Sequence, residues 1–166
     1  MKDLIVERLK ERGVALERIA EVVYKLQRPY YEELKYEECL ESVNRVLTKR
    51  EVQYTILTGV ALDKMTEAGK VEEPLASIIG RDEPLYGVDE SLALAIASIY
   101  GTIGYTSFGY LDKDKFGIMK ELDSDKSHVN TFMDDLVAGI AAAAAARIAH
   151  RIHAEEPEEQ EEKEVS

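Results

Sequence analysis

The sequence predicts an all-α protein, a single multihelical bundle of five to six main helices. Two observations support this fold class. Apolar residues recur at the i, i+3, i+4, i+7 spacing of an amphipathic helix, first in Leu16, Ile19, Ala20, Val23 and Leu26. In contrast, no run of alternating apolar and polar residues indicates a β-strand. We therefore expect helices that are joined by short connections.

Helix-stopping residues divide the chain into these elements. Pro29 ends the first predicted helix, because proline cannot continue the hydrogen-bond ladder of a helix. Gly69 closes the third, and Pro74 precedes a short fourth helix. The predicted helices are 16–26, 39–47, 52–65, 75–79, 88–105 and 132–153, and the predicted loops or irregular segments are 80–87, 104–117 and 123–130.

Composition and charge limit the class of protein. With 45% hydrophobic and 33% charged residues, the 166-residue chain is typical of a folded, soluble domain. We predict one helical domain over residues 1–153 and an acidic, disordered tail over 154–166, where glutamates surround Pro157. The net charge of −12 makes nucleic acid an unsuitable partner, since phosphate binding needs a basic surface.

Two segments bear on the location of the protein. The first twelve residues are charged throughout, so they do not form a signal peptide. Ser91 to Leu111 has no charged residue and is long enough to span a bilayer, but it contains serines, threonines, glycines and tyrosines. We predict a buried helix and turn there, in a cytoplasmic protein that contacts a membrane only peripherally. Cys39 falls in an amphipathic stripe and is predicted to be a core thiol.

Adjacent acids stand at the start of two apolar segments. Asp134-Asp135 precedes the small-residue run Gly139 to Ala146, and Asp89-Glu90 begins the charge-free segment. Burying neighbouring carboxylates is costly unless a positive charge lies between them, and Mg²⁺ would supply one. A structural role stays open for both pairs. Thr131 with Asp134 fits a capping box, and Asp89 can interact with a helix dipole.

A third acidic element, Asp112-Lys113-Asp114-Lys115, follows the charge-free segment. If that segment crosses the bundle and turns back near its glycines, Asp112 approaches Asp89. Three acidic sites and a lysine are the groups that phosphoryl transfer needs. Carboxylates hold a cation that polarises phosphate oxygens, and a lysine balances the remaining negative charge.

Two further patterns bear on function and assembly. Glu37, Glu38 and Glu41 have the spacing of all-helical nucleotide pyrophosphohydrolases, but only Asp63 and Glu67 offer a second acidic half-motif. An exposed helix face is the interpretation we favour for these glutamates. The alanine run at 141–146 indicates close helix packing, within the bundle or between subunits, and on this basis we expect a homo-oligomer.

The acidic segments and their neighbours are similar to those of a known family. The C-terminal half resembles the phosphatidylglycerophosphatase A family, and the whole chain looks like its shorter, soluble Gram-positive branch, the YutG-like or low-temperature-requirement proteins. The matching segments are Gly87 to Glu90, Phe108 to Lys115 and Phe132 to Gly139, in the order of the family. Lys49 to Gln53, followed by Leu57 to Gly59, is similar to the shorter branch.

The resemblance implies Mg²⁺-dependent hydrolysis of the phosphate monoester of phosphatidylglycerophosphate, or of a related lipid or small molecule. Carried over by position, it implies that the acidic and basic site residues are Asp89, Glu90, Asp112, Lys115, Asp134 and Asp135. Among these, we expect Asp89, Asp134 and Asp135 to hold the metal. Glu90 or Asp112 would position or deprotonate the attacking water, and Lys115 would contact the phosphate, so these three residues are the catalytic candidates.

The chain departs from the family pattern at three places. Gly109 stands where the membrane enzymes usually have arginine, Phe116 stands where they have proline, and their glycine- and proline-rich N-terminal signature is missing. An arginine binds phosphate through two hydrogen bonds, which a lysine does not replace. The alternative is therefore a non-catalytic helical module, derived from this family, that assembles or regulates through its alanine-rich face. A pyrophosphohydrolase that uses Glu37, Glu38 and Glu41 is the weaker alternative.

Overall fold

The computed structural model describes residues 1–155, and within that range all regular secondary structure is helical. The predicted all-α class is confirmed, but the described part of the chain forms nine α-helices and one 3₁₀ turn rather than five to six helices. The α-helices are α1 (Lys2–Glu11), α2 (Leu16–Gln27), α3 (Tyr36–Val46), α4 (Arg50–Glu67), α5 (Leu75–Gly80), α6 (Val88–Ala97), α7 (Ile103–Lys113), α8 (Ile118–Ser124) and α9 (Met133–Glu155).

Helix α9 forms the centre of the molecule. Every residue from 131 to 146 is buried, and α2, α3, α6, α7 and α8 pack around the helix. The alanines at 141–146 permit this enclosure, because their short side chains let neighbouring helices approach closely. The run is fully buried inside a single chain, so this face is not available for a contact between subunits. The alanine run therefore gives no support to the expected homo-oligomer, which stays a prediction.

Three helices, α1, α7 and α8, were absent from the sequence-based assignment. The predicted single helix 88–105 is wrong, because the chain breaks at Gly101, whose positive φ of 92° ends the 3₁₀ turn Ser98–Tyr100. The segment 104–117, predicted as irregular, is mostly α7. Its residue Gly104 lies so close to the Ala97 carbonyl oxygen that a Cβ would stand 1.8 Å from it, and this contact lets α7 fold back on α6. Helices α1 and α8 are short, and each buries two or three apolar side chains between charged ones.

The directions of three helices determine where the acids meet. Helices α6 and α9 run in the same direction, with Ala93 against Gly139 near their starts and Tyr100 hydrogen-bonded to His150 at 2.6 Å near their ends. Helix α7 returns in the opposite direction. The N-termini of α6 and α9 and the C-terminus of α7 therefore share one end of the bundle.

The contact between α6 and α9 makes Gly139→Ala a sensitive test of this packing. A Cβ at residue 139 would lie 2.7 Å from the backbone oxygen of Ala93, so the two helices would have to separate. We expect a loss of about 1–3 kcal/mol in the free energy of unfolding. Gly109→Ala is the matched control, because nothing lies within 4 Å of a Cβ there and alanine is the better helix former. Equal melting temperatures for Gly139→Ala and the parent would contradict the close crossing.

Within residues 1–155, no helix has the length and apolar character needed to cross a bilayer. Ser91 to Leu111 instead forms α6, the 3₁₀ turn and most of α7. Cys39 is a buried free thiol, as predicted. Helix α9 extends to Glu155, and the rest of the predicted acidic tail lies outside the described residues.

Candidate functional site

A polar cleft of about 180 Å³ opens at the end of the bundle where α6, α7 and α9 meet. All six predicted site residues line it, together with Asp82, Tyr86 and Thr131. Asp89 and Glu90 come from the first turn of α6, Asp134 and Asp135 from the first turn of α9, and Asp112 and Lys115 from the end of α7 and the residues after it. The fold therefore brings together acids that lie far apart in the sequence.

The metal-ligand candidates are the most deeply placed acids of the cleft. Asp89, Asp134 and Asp135 are 7%, 3% and 4% exposed, whereas Glu90 is exposed and Asp112 is partly buried. One oxygen of Asp134 accepts a hydrogen bond from the Asp135 backbone N–H at 2.9 Å, and one of Asp89 accepts from the Glu90 N–H at 3.0 Å. These bonds leave a second oxygen on each carboxylate for another partner.

Lys115 is the only cationic side chain among the described residues that line the cleft. Its Nζ lies 2.6 Å from Asp134 Oδ2 and 3.3 Å from Asp123 Oδ1, and its side chain is 25% exposed. Burial lowers the pKa of the ammonium, but the carboxylates of Asp134, Asp135 and Asp123 together raise it more, so the net shift of the Lys115 pKa is upward. The lysine is therefore a fixed positive charge at this end of the cleft.

Burial and mutual repulsion raise the pKa values of three acids of the cleft, Asp135, Asp134 and Glu90. For Asp135, burial is the main cause and the charges of Asp134 and Asp89 add to it, so that its pKa is about 9. Burial raises the pKa of Asp134 to about 6 despite its pairing with Lys115. The pKa of Glu90 is also raised, by partial desolvation of its carboxylate at the cleft and by the charges of Asp112 and Asp89. A single lysine does not compensate this much negative charge.

The donor set consists of carboxylate oxygens, which are the ligands of hard divalent cations. Within the described part of the chain, no three His, Cys, Asp or Glu side chains stand close enough together to form a ready-made metal cage. The Lys115 ammonium instead lies against Asp134. The chemistry of the donors fits a magnesium-like ion.

The predicted capping box at the start of α9 is wrong. The Thr131 hydroxyl donates to the Ile79 carbonyl oxygen at 2.6 Å and does not cap the helix. The cap is Asp63 of α4, whose carboxylate accepts hydrogen bonds from the backbone N–H groups of Phe132 at 3.1 Å and Met133 at 3.0 Å. Asp134 is therefore not needed as a cap, and its second oxygen faces Lys115.

Sequence reasoning missed two acids near this end of the bundle. Asp63 follows Ile56 and Val60 at i+7 and i+3, so an acid on a buried apolar stripe was the signal that could have revealed it. Asp82 lines the cleft from the loop after α5, and its charge contributes to the raised pKa of Asp134. No sequence pattern distinguishes Asp82 from other acids in loops.

The glutamates of the alternative pyrophosphohydrolase motif lie elsewhere on the molecule. Glu38 accepts a hydrogen bond from the Lys35 N–H at 3.0 Å and pairs with Arg151, which fixes the start of α3 and ties it to α9. Glu41 pairs with Arg45 at 3.6 Å, and Glu37 is exposed. These contacts are those of a helix surface.

The fold and the cleft together define an all-helical protein with buried carboxylates and one lysine gathered at the ends of three helices. The sequence model of the family "Phosphatidylglycerophosphatase A" matches residues 8–150, which is most of the chain. The protein belongs to this family.

Its relatives match the predicted shorter branch. The uncharacterized protein YutG of Bacillus subtilis is 53% identical over 137 residues, which cover 82% of each chain. A protein of unknown function from Bacillus stearothermophilus has a similar structure, with a TM-score of 0.88, 56% identity and coverage of 91% of this chain and 94% of that one. For the low temperature requirement C protein of Listeria monocytogenes, the TM-score is 0.89, the identity 50% and the coverage 92% and 96%.

Proposed function

We propose that the protein is a Mg²⁺-dependent phosphatase of the phosphatidylglycerophosphatase A type, which hydrolyses the phosphate monoester of phosphatidylglycerophosphate or a related substrate. The observation that carries the proposal is the meeting of Asp89, Asp112 and Asp134–Asp135 with Lys115 in one cleft. Family membership supports the same reaction.

Asp89, Asp134 and Asp135 are the residues that would hold the cation. All three are buried, and the pKa values of Asp134 and Asp135 are raised. Both properties are expected of carboxylates whose negative charge is balanced by a bound ion. When bound, such an ion polarises the phosphate oxygens and lowers the charge that the attacking oxygen meets. The protein supplies the geometry by holding these carboxylates at the first turns of α6 and α9.

The remaining residues take the proton and charge roles. Glu90 is exposed at the cleft, where its carboxylate can accept a proton from an attacking water, and its raised pKa makes it a stronger base than an ordinary glutamate. Asp112 lies beside it and orients the same water or replaces it as the base. Lys115 can turn from Asp134 toward a phosphate oxygen and neutralise part of its charge. A carboxylate nucleophile is an equally consistent first step.

The family indicates a phosphate monoester as the substrate class. Gly109, which replaces an arginine of the membrane enzymes, leaves the identity of the substrate headgroup unrestricted. Gly109 lies one turn before Asp112 on α7, faces solvent and has nothing within 4 Å of its Cβ position. An arginine there in the membrane enzymes would stand beside the cleft as a second phosphate ligand. This chain has only Lys115 for that purpose, so we extend the proposal to phosphate monoesters related to phosphatidylglycerophosphate.

The test is phosphate release from phosphatidylglycerophosphate in detergent micelles and from soluble phosphomonoesters, with Mg²⁺ or with a chelator. We expect turnover only with Mg²⁺, and we expect Asp134→Asn to reduce it to the level measured with the chelator. Asp114→Asn is the matched control, because Asp114 is exposed and does not line the cleft. No turnover on any substrate, with Asp134→Asn identical to the parent, would end the enzymatic proposal.

The same assays separate the two alternatives. A non-catalytic module derived from the family need not bind Mg²⁺ in a calorimetric titration or be stabilised by it, and the alanine-rich face assigned to such a module is buried. A pyrophosphohydrolase would release pyrophosphate from nucleotides and lose that activity in Glu38→Gln. On our proposal, Glu38→Gln keeps its phosphatase activity, because Glu38 serves only α3 and Arg151.

A further inference from the structure

Asp63 is a buried carboxylate that does not line the cleft but reaches the helix that carries two of its acids. It belongs to α4, is 0% exposed, and accepts hydrogen bonds from the backbone N–H groups of Phe132 and Met133. These two residues immediately precede Asp134 and Asp135. Asp63 is thus attached to the backbone from which both acids project.

A carboxylate is a costly way to cap this helix. The first N–H groups of a helix need acceptors, and a serine or threonine at the helix start usually provides one without burying a charge. Thr131 lies two residues before the first residue of α9, but its hydroxyl donates to the Ile79 carbonyl oxygen instead. The cap that is present instead joins two different helices, so it holds α9 in place relative to α4 as well as completing its hydrogen bonds.

Two more residues restrict the segment just before α9. The Arg12 side chain is 5% exposed, donates to Asn130 Oδ1 at 3.1 Å, and pairs with Glu67 at 2.8 Å. Glu67, one turn after Asp63 on α4, accepts from the Val129 N–H at 2.8 Å. The chain from 129 to 133 is therefore held by α1 and α4, and Asp63 holds the last two of these residues.

We propose that Asp63 is a positioning residue for the acidic pair of α9, acting through the amides of Phe132 and Met133 to direct Asp134 and Asp135 into the cleft. This inference rests on the proposed function. Asp63 touches neither metal nor substrate in this role. A ligand carboxylate displaced by about 1 Å binds its cation or orients its substrate less well, and displacements of that size have cost about 100-fold in activity elsewhere.

The experiment compares Asp63→Asn with Glu67→Gln. The asparagine side chain keeps one acceptor oxygen but places a donor NH₂ against one of the two backbone N–H groups. We expect Asp63→Asn to raise the Kd for Mg²⁺, measured by isothermal titration calorimetry well below the melting temperature, by about 10- to 100-fold. The kcat should fall by a similar factor, with a smaller change in KM. Glu67→Gln also loosens the segment before α9, but it should change the Kd for Mg²⁺ by no more than about twofold, because Asp63 still holds the helix start.

The outcomes separate this inference from the proposed function. If the parent neither binds Mg²⁺ nor releases phosphate, the proposed function fails. Suppose that the parent does both, and that Asp63→Asn keeps the parent's Kd for Mg²⁺ and its kcat. Asp63 is then only structural and the inference is overturned, however much the melting temperature falls. Should Asp63→Asn not fold, Asp63→Glu replaces it, since it keeps the charge but lengthens the side chain by one methylene. We expect weaker Mg²⁺ binding from this variant too, and a parental Kd would overturn the inference.

Discussion

Asp135→Asn is expected to stabilise the metal-free protein while it removes phosphatase activity. Asp135 is 4% exposed, and burial, together with Asp134 and Asp89, raises its pKa to about 9. The pKa in the unfolded chain is about 3.9, so folding disfavours the ionised form. The resulting loss in the free energy of unfolding is absent below about pH 4 and grows as the pH rises toward 9. Asparagine has nearly the same shape and no acidic proton to lose.

The measurement is thermal unfolding from pH 4 to 9 in the presence of a chelator. The melting temperature of Asp135→Asn relative to that of the parent should increase as the pH rises over this range, and the variant should have the higher melting temperature at pH 8. Each kcal/mol of relief corresponds to about 2–4 °C for a chain of this size. Activity should fall by more than about 100-fold. Loss of a residue that only supports a metal ligand already costs about 10- to 100-fold, and Asp135 is a predicted ligand itself. A variant that is less stable than the parent at pH 8 would show that Asp135 is stabilised as a carboxylate without metal.

Lys115→Met is expected to have the opposite effect on stability and a similar effect on activity. Without the ammonium 2.6 Å from Asp134, this buried carboxylate loses its only nearby positive charge among the described residues of the cleft. We expect the metal-free protein to lose about 2–3 kcal/mol, which is the range for removing a charged hydrogen-bond partner from a buried acid. Turnover should decrease by about 10²–10³-fold, because the phosphate loses its charged contact.

Addition of Mg²⁺ should raise the melting temperature of Lys115→Met more than that of the parent, because the cation restores the missing charge beside Asp134. Lys113→Met is the matched control, since Lys113 is exposed and has no place in the cleft. It should match the parent in stability, in Mg²⁺ response and in turnover. If Lys115→Met and Lys113→Met behave alike, Lys115 is a surface charge and has no role in the site.

The sequence allowed the convergence of the acids in one place to be predicted, but not the contacts that hold the start of α9. The charge-free segment with its glycines indicated a chain that crosses the bundle and returns, and the structure places Asp112 beside Glu90 and Asp89. The roles of these residues are still predictions. The position of the reversal was not anticipated, because the predicted helix continued to residue 105; the structure places the break at Gly101, and the close approach of Gly104 to Ala97 follows it.

Long-range contacts explain the remaining misses. The local pattern from Thr131 to Asp134 favoured a capping box, but Asp63, distant in sequence, competes for the same N–H groups and is the acceptor that binds them. Helix propensity and spacing report only on neighbours in the chain. The acid on the apolar stripe of α4 was visible, yet nothing local identified its partner.

The enclosure of α9 on all sides affects how the protein is made. Synthesis proceeds from the N-terminus, so residues 1–130 leave the ribosome before the helix that they surround. Until that helix emerges, the inward surfaces of α2, α3 and α6 have no central helix to pack against, and the nascent chain exposes an apolar interior to chaperones and to other chains. Native packing is therefore completed late, at the moment when the two aspartates at the head of α9 also reach their places.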